Sequence, residues 1–446
     1  MKKLTTLVLA AGLVVSAFAG SASAGEFKPV LQFAEEFTYG DAGTNDQLEN
    51  FDAATRIRFG FDYVASEDLS ATILFQYGGY HWGTFEPNND GEAHLKMRLA
   101  YIDWTLPSTD VKVRMGRQAV VAPSYAFGSP VLDSRADAIS INGNVNENIS
   151  LGLAWMRADR NLRNLRNDEG VITRYDYGYD TTDALMLNAE FAYDGFKVAP
   201  WAVYAHKQHD AESGIAQFAN IDGKQADADL YIIGASAELN MFDPFVFAVD
   251  ALYNNIKYHN MAPLAEDSYD AFYVAAKASY KLSNGVASLG GWYSTGNDWD
   301  NNDNGFVVLD GGFSASSVLF DGNIVGADDY TNVLGSDSPF GTWGVIAEYA
   351  GFSFLENLSH TARVLYIEGT NENQPNAYNP GFGDSIELTE DDSAIEIDFD
   401  TTYQIYKNLS ATLQLGYVFF DQSNLAPLAE EQDDIFRSAL TFVYKF

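Results

Sequence analysis

Apolar side chains recur at every second position, over runs of about ten residues, along most of this chain, and no segment carries the 3.6-residue period of a long helix. Ile57, Phe59, Phe61 and Tyr63 share one face, with Arg56, Arg58 and Asp62 on the other. Leu185, Leu187, Ala189, Phe191 and Tyr193 oppose Asn188 and Glu190, while Phe245, Phe247, Val249, Ala251 and Tyr253 oppose Asp250 and Asn254. Ile395, Ile397 and Phe399 oppose Glu396, Asp398 and Asp400. Side chains two apart stand on one face of a strand, so each run predicts a strand with one greasy and one polar side. In a soluble sandwich the greasy side meets a second sheet. In a membrane barrel it meets hydrocarbon, and the polar side lines water.

The connections separate these two readings. Tight turns rich in Gly, Asn, Asp or Pro fall at Ser66–Asp68, Pro107–Asp110, Asn144–Asn148, Asp194–Gly195, Asn240–Pro244, Ser283–Gly285, Leu355–Leu358 and Lys407–Asn408. Between them lie long polar stretches: Asn161–Thr182, His206–Ala226, Asn297–Thr342 and Gly369–Asp392. Alternating short and long connections make an up-and-down meander with every long loop at one end, the asymmetry of outer-membrane barrels. The expected fold is therefore an all-β, transmembrane, antiparallel β-barrel with short periplasmic turns and long external loops. Eight turns pair sixteen strands, and Phe27–Thr38 with the final strand bring the expected number to 18, with 16 as the fallback. No linker divides residues 25–446, which read as a single barrel domain.

Both ends of the chain agree. Met1–Ala24 reads as a signal peptide: Lys2 and Lys3, an apolar stretch from Leu4 to Ala19, and the small-residue site Ala22-Ser23-Ala24. No later run of 18 apolar residues could cross a bilayer as a helix. At the other end Phe436, Leu440, Phe442, Tyr444 and Phe446 share one strand face, and a terminal strand ending in Phe resembles the assembly signal of Gram-negative barrels.

Composition narrows the chemistry. With 62 acidic against 26 basic residues, a formal charge of −36, the chain is no partner for nucleic acid. The absence of Cys excludes disulfide scaffolds, thiolate metal sites and a Cys nucleophile. Six scattered histidines and no HExxH, GxSxG or phosphate-loop motif leave little ground for an enzyme.

The basic residues crowd toward the N-terminal half. Arg56 and Arg58, Lys96 and Arg98, and Lys112 and Arg114 fall in pairs two apart on the polar faces of early strands. An arginine facing lipid near the bilayer centre would cost about 2–4 kcal/mol, so these pairs are expected to face the lumen as a positive ladder. After Arg117 the stretch Gln118–Ala136 loses alternation yet carries Val120, Val121, Tyr125, Phe127, Val131 and Leu132. A loop this apolar is expected to tuck into the barrel, with Asp133 and Asp137, and Arg135 among them, facing the basic ladder across a narrow opening. Glu396, Asp398 and Asp400 are expected to form an acidic lumen wall and, with the overall acidity, to give cation preference.

Asp298, Asp300 and Asp303 could supply oxygen ligands to a structural calcium, although the spacing fails as an EF-hand; no other cofactor is expected. Arg157, Arg160, Arg163 and Arg166 could meet lipopolysaccharide phosphates or a neighbouring subunit. Trp292, Tyr293 and Trp299 read as interfacial aromatics, or alternatively as a sugar-stacking platform.

The signal peptide, the terminal Phe and Gly116-Arg117 ahead of an inward loop together resemble the trimeric general porins, and the overall pattern is similar to the homotrimeric outer-membrane porins of sulfate-reducing bacteria. That resemblance implies a homotrimer among outer-membrane lipid and lipopolysaccharide, passing small hydrophilic solutes and ions by passive diffusion. It implies a constriction between the third loop, with Asp133 and Asp137, and wall charges at Arg56, Arg58, Lys96, Arg98, Lys112 and Arg114. The loop departs from the short acidic motif usual in general porins. Alternatives are a substrate-specific channel for a sugar or carboxylate, a non-conducting surface barrel, and a secreted soluble β-protein.

Overall fold

The computed structural model describes residues 25–41, 49–83, 95–166, 172–208, 227–259, 268–298, 306–320, 322, 324–325, 333–334, 338–372, 388–422 and 434–446. The signal-peptide expectation for Met1–Ala24 lies outside them. The described chain forms β1 (Glu26–Asp41), β2 (Glu49–Ser66), β3 (Leu69–His81), β4 (Leu95–Thr105), β5 (Lys112–Val121) and β6 (Asp133–Asn146). It continues with β7 (Ile149–Arg166), β8 (Ile172–Tyr193), β9 (Phe196–Lys207), β10 (Asp227–Phe242), β11 (Phe245–His259) and β12 (Ser268–Leu282). The ring is completed by β13 (Gly285–Ser294), β14 (Thr342–Phe352), β15 (Leu358–Gly369), β16 (Asp392–Tyr406), β17 (Leu409–Gln422) and β18 (Ile435–Lys445).

Every strand pairs antiparallel with its neighbours in the chain, and β18 pairs back onto β1 from Gln32↔Lys445 to Asp41↔Phe436. The 18 strands thus close on themselves, which leaves no row of unpaired backbone groups to face hydrocarbon. All eight expected tight turns join strands at one end. Phe446 N–H donates to Leu31 O at that end, 2.8 Å away.

Two stretches expected to be loops are partly strand. Pairing of β7 with β8 continues from Arg160↔Thr181 to Arg166↔Ile172, inside the polar segment Asn161–Thr182. Likewise β5 runs to Val121 opposite Asp133, inside Gln118–Ala136. Beyond the bilayer both faces of a hairpin can be polar, and inside the lumen both can be packed. In neither place does strand pairing need the alternation that marks a lipid-facing wall.

The outer face carries exposed Leu187, Ile233, Phe245, Phe247, Leu289 and Val364, as alternation predicts. The inner face departs from the expected polar lining. On β9 to β12 it is apolar as well: Trp201, Val203, Leu230, Ile232, Leu252, Ile256 and Tyr273 are buried there. These residues belong to one cluster with Phe127, Leu132, Phe313 and Phe320, which come from two connections folded into the barrel.

Candidate functional site

The first inward connection follows β5. Pairing of β4 with β5 ends at Ala100↔Arg117, while β5 and β6 stay paired out to Val121↔Asp133. Residues 122–132 then reach the far wall. There Asp250 on β11 accepts hydrogen bonds from Ser124 Oγ (2.8 Å), the Tyr125 amide (2.9 Å) and the Ala126 amide (2.8 Å). Ser236 Oγ on β10 donates to Pro123 O at 2.9 Å. Phe127 packs edge-on to Trp292, with ring centroids 5.8 Å apart. It can do so because position 290 is glycine: a Cβ there would stand 2.6 Å from the Phe127 ring tip. Tyr125 donates to Glu190 at 3.2 Å. Burial, and then the Glu190 carboxylate, push this phenol up to about 12, so it stays a neutral donor.

A second inward connection was not foreseen. The excursion between β13 and β14, expected as a long external loop, instead runs through the lumen over residues 306–320 and the described residues 322, 324 and 325. Val307 O accepts from Asn254 Nδ2 on β11 at 3.1 Å. The segment then runs beside the first loop. The amides of Leu309, Gly312 and Ser314 donate to Val131 O, Ser129 O and Phe127 O, and the Asp133 amide donates to Asp310 O, at 2.6–3.0 Å. Glu396 on β16 next captures a full turn of backbone. Its carboxylate accepts from Ser316 Oγ (2.6 Å) and from the amides of Ser317 (3.0 Å), Val318 (2.7 Å) and Leu319 (3.1 Å). Val318 sits over Gly416, where a Cβ would approach it to 2.4 Å. The connection reaches β2, where Arg56 Nη1 donates to Val325 O at 2.8 Å.

The expected acidic lumen wall therefore stands differently. Glu396 and Asp398 are 1% and 2% exposed, and Ser317 N–H also donates to Asp398 at 3.1 Å. Asp400 accepts from Arg363 Nη1 at 2.6 Å. These acids anchor a loop and a cation instead of lining open water, because loop amides are donors that a buried carboxylate needs.

The basic ladder is present but uneven. Arg58 Nε and Arg98 Nη1 converge on Gln76 Oε1, at 2.9 and 3.3 Å. Arg56 lies next to them, and Arg135 from β6 stands within electrostatic reach of all three. Asp133 lies within reach of Arg98. Lys96 pairs in register with Gln76 and is exposed. Arg114 makes a two-pronged bridge to Asp103, at 2.7 and 2.8 Å, and lies 4.0 Å from the Tyr101 ring centre. Lys112 is 4.0 Å from the same Asp103. One carboxylate thus offsets Lys112 and Arg114, while Arg56, Arg58, Arg98 and Arg135 gather together, with Glu36 within reach of Arg56 and Asp133 within reach of Arg98. Asp137 stands opposite Arg117 on β5 and Arg157 on β7 in the register.

Other candidates scatter. Asp298 forms a bridge residue just past β13, whereas Asp300, Asp303 and Trp299 lie outside the described residues. Among the described residues no three His or carboxylate side chains are arranged to hold a metal. Arg157 bridges Asp183 at 2.7 and 2.9 Å; the side chains of Arg160, Arg163 and Arg166 are outside those described. Trp292 is buried under Phe127 and Phe313, while Tyr293 stacks on Phe272 on the outer surface. Trp292 and Tyr293 thus face opposite sides of the wall and share no platform, and Trp299, the third residue of that alternative, lies outside the described residues.

No protein-family model and no curated protein matches this sequence. Solved structures do match it in fold. Pseudomonas aeruginosa OccK2 (OpdF) superposes with a TM-score of 0.57 at 12% identity, over 94% of this chain and 98% of that one. P. aeruginosa OprD gives 0.56 at 12% identity, over 94% and 95%. P. aeruginosa OccK11 (OpdR) gives 0.54 at 14% identity, over 94% and 96%. At these identities the likeness concerns architecture: this chain has the closed 18-strand barrel fold of those outer-membrane porins.

Proposed function

We propose that this chain is a passive channel of the Gram-negative outer membrane, admitting small hydrophilic solutes through a gap between the arginine wall of β2 to β4 and the paired inward loops. The observation that carries this reading is the gathering of Arg56, Arg58, Arg98 and Arg135 in a barrel whose other side is closed by apolar loop packing. A plugged, non-conducting barrel would have little use for four arginines held within electrostatic reach of one another. Purified protein in planar bilayers should give single-channel steps, and their absence would overturn the proposal.

Ion preference follows from the same geometry. The expectation of cation selectivity rested on the overall acidity together with Glu396, Asp398 and Asp400, and loop amides and Arg363 engage those three carboxylates. The narrow part is then anion-favouring, even though the formal charge of −36 draws cations to the mouths. Reversal potentials under a salt gradient decide, and cation selectivity would move the filter to the mouths.

The second reading, a substrate-specific channel, is favoured by the number of inward connections, since two loops leave less free lumen than one. It is also in keeping with the neighbours: OccK2 of P. aeruginosa has been crystallised with glucuronate. Carboxylate-bearing solutes suit an arginine-lined passage. Saturable reduction of ion current by such a solute would support this reading over free diffusion. Assembly as a homotrimer in contact with lipopolysaccharide extends the sequence resemblance. Unheated and boiled samples on one SDS gel test it, a large heat-labile species being the expected result.

A further inference from the structure

Under the two loops lies a recess of about 290 Å³, on the wall away from the arginines. Phe127 and Ser314–Ser317 roof it, and Lys277, Ser288, Glu348, Arg363, Asp400 and Gln414 line it from β12 to β17. Its charged groups already have partners. Lys277 Nζ donates to Glu348 at 3.2 Å, and Arg363 donates to Glu348 at 2.9 Å and to Asp400 at 2.6 Å. Above it, Glu396 is satisfied by the loop amides. Two acceptors are left over. Asp400 Oδ1 and Gln414 Oε1, a cross-strand pair on β16 and β17, are buried and have no hydrogen-bond donor. A buried acceptor without a donor is costly, so the wall is built for a donor that the protein does not provide.

We propose that this recess is a subsite for an uncharged, hydroxyl-rich solute of monosaccharide size; the proposal rests on the channel reading. The volume falls just under the roughly 300–1,000 Å³ of pockets that hold drug-sized ligands, which suits a single sugar ring. Once Asp400 and Gln414 turn these shielded oxygens toward the recess, hydroxyl groups can donate to them and exchange hydrogen bonds with Ser288 and Ser316. They leave the Lys277–Glu348–Arg363–Asp400 chain intact. An anion would have to take Arg363 or Lys277 from its carboxylate. A cation would sit beside both of them. Either loses a paired charge for each one it gains.

The test is ligand-observed NMR of the full barrel in detergent with D-glucose, glucuronate and ethylammonium as competing probes. Glucose should bind saturably and displace the other two. Ser288→Leu, which fills the recess, and Gln414→Leu, which removes the acceptor, should each weaken glucose at least tenfold. Unchanged glucose binding in both variants, no glucose binding by the unaltered protein, or displacement of bound glucose by either ion would overturn the proposal. If a variant does not form the heat-modifiable barrel, the competition series on the unaltered protein decides. Salt conductance, measured without sugar, tests the channel reading on its own: conduction without glucose binding sinks the subsite alone.

Discussion

Asp250 and Glu396 do the same work on different walls: each buries a carboxylate and offers it to the amides of an incoming loop. A backbone N–H turned into the lumen needs an acceptor once water is excluded, and each carboxylate satisfies two or three at once, with a serine hydroxyl besides. Hydrogen bonds to charged groups contribute about 1.5–3 kcal/mol each, and these share one acceptor. Glu396→Ala should therefore loosen the second loop by about 3 kcal/mol without opening the strand ring. Planar-bilayer recordings should show larger or flickering steps, while the unheated gel mobility stays that of the folded barrel. Steps identical to the parent would show that the loop is held elsewhere. Among the arginines, Arg58→Gln together with Arg98→Gln should shift the reversal potential toward cations, whereas Lys112→Gln should do so less, since Lys112 faces Asp103, which already bridges Arg114.

At the level of elements, the two inward loops behave as one. Five backbone hydrogen bonds join them between residues 127–133 and 309–314. Asp250→Ala and Glu396→Ala should then be strongly non-additive in a double-mutant cycle read by current amplitude; simple additivity would separate the loops. Gly416→Val should push Val318 off its seat and disturb docking by about 1–3 kcal/mol, which limited proteolysis of the loop would register. The strands and their turns were legible from the sequence because a wall between lipid and water forces alternation at every residue, as at Ile57 to Tyr63. The first loop was legible from its stranded valines and aromatics. The second was not. Phe313, Val318, Leu319 and Phe320 are as apolar, but they sit in a stretch dominated by Asp, Asn and Gly, whose average hides them. Asp250 and Glu396 looked like ordinary lumen charges, since nothing local distinguishes a carboxylate that water solvates from one that a distant amide claims. The better sign was Leu252 and Ile256 on the same inner face, where water alone would not favour them.

Over the whole molecule, charge and packing divide the barrel into an arginine side and an apolar, loop-filled side. In the proposed channel formal charge therefore says little about what passes: −36 describes the chain, while the proposed gap lies beside Arg56, Arg58, Arg98 and Arg135. Raising the salt should weaken any preference set at the outer mouths more than one set in the gap, because surface fields are screened within about 8 Å at physiological ionic strength. A cation preference that fades at high salt would argue for the mouths, and an anion preference that persists would argue for the gap.

The seam between β1 and β18 has a consequence for biogenesis. The ten register pairs that join them link residues some 400 positions apart, so the first strand made has no partner on that side until the last one is finished. A nascent chain threading out in order cannot seal itself piecemeal, and any shorter intermediate carries two sticky borders. Insertion must wait for a finished polypeptide held open by something else. A chain cut back before Ile435 should accumulate as a protease-sensitive precursor.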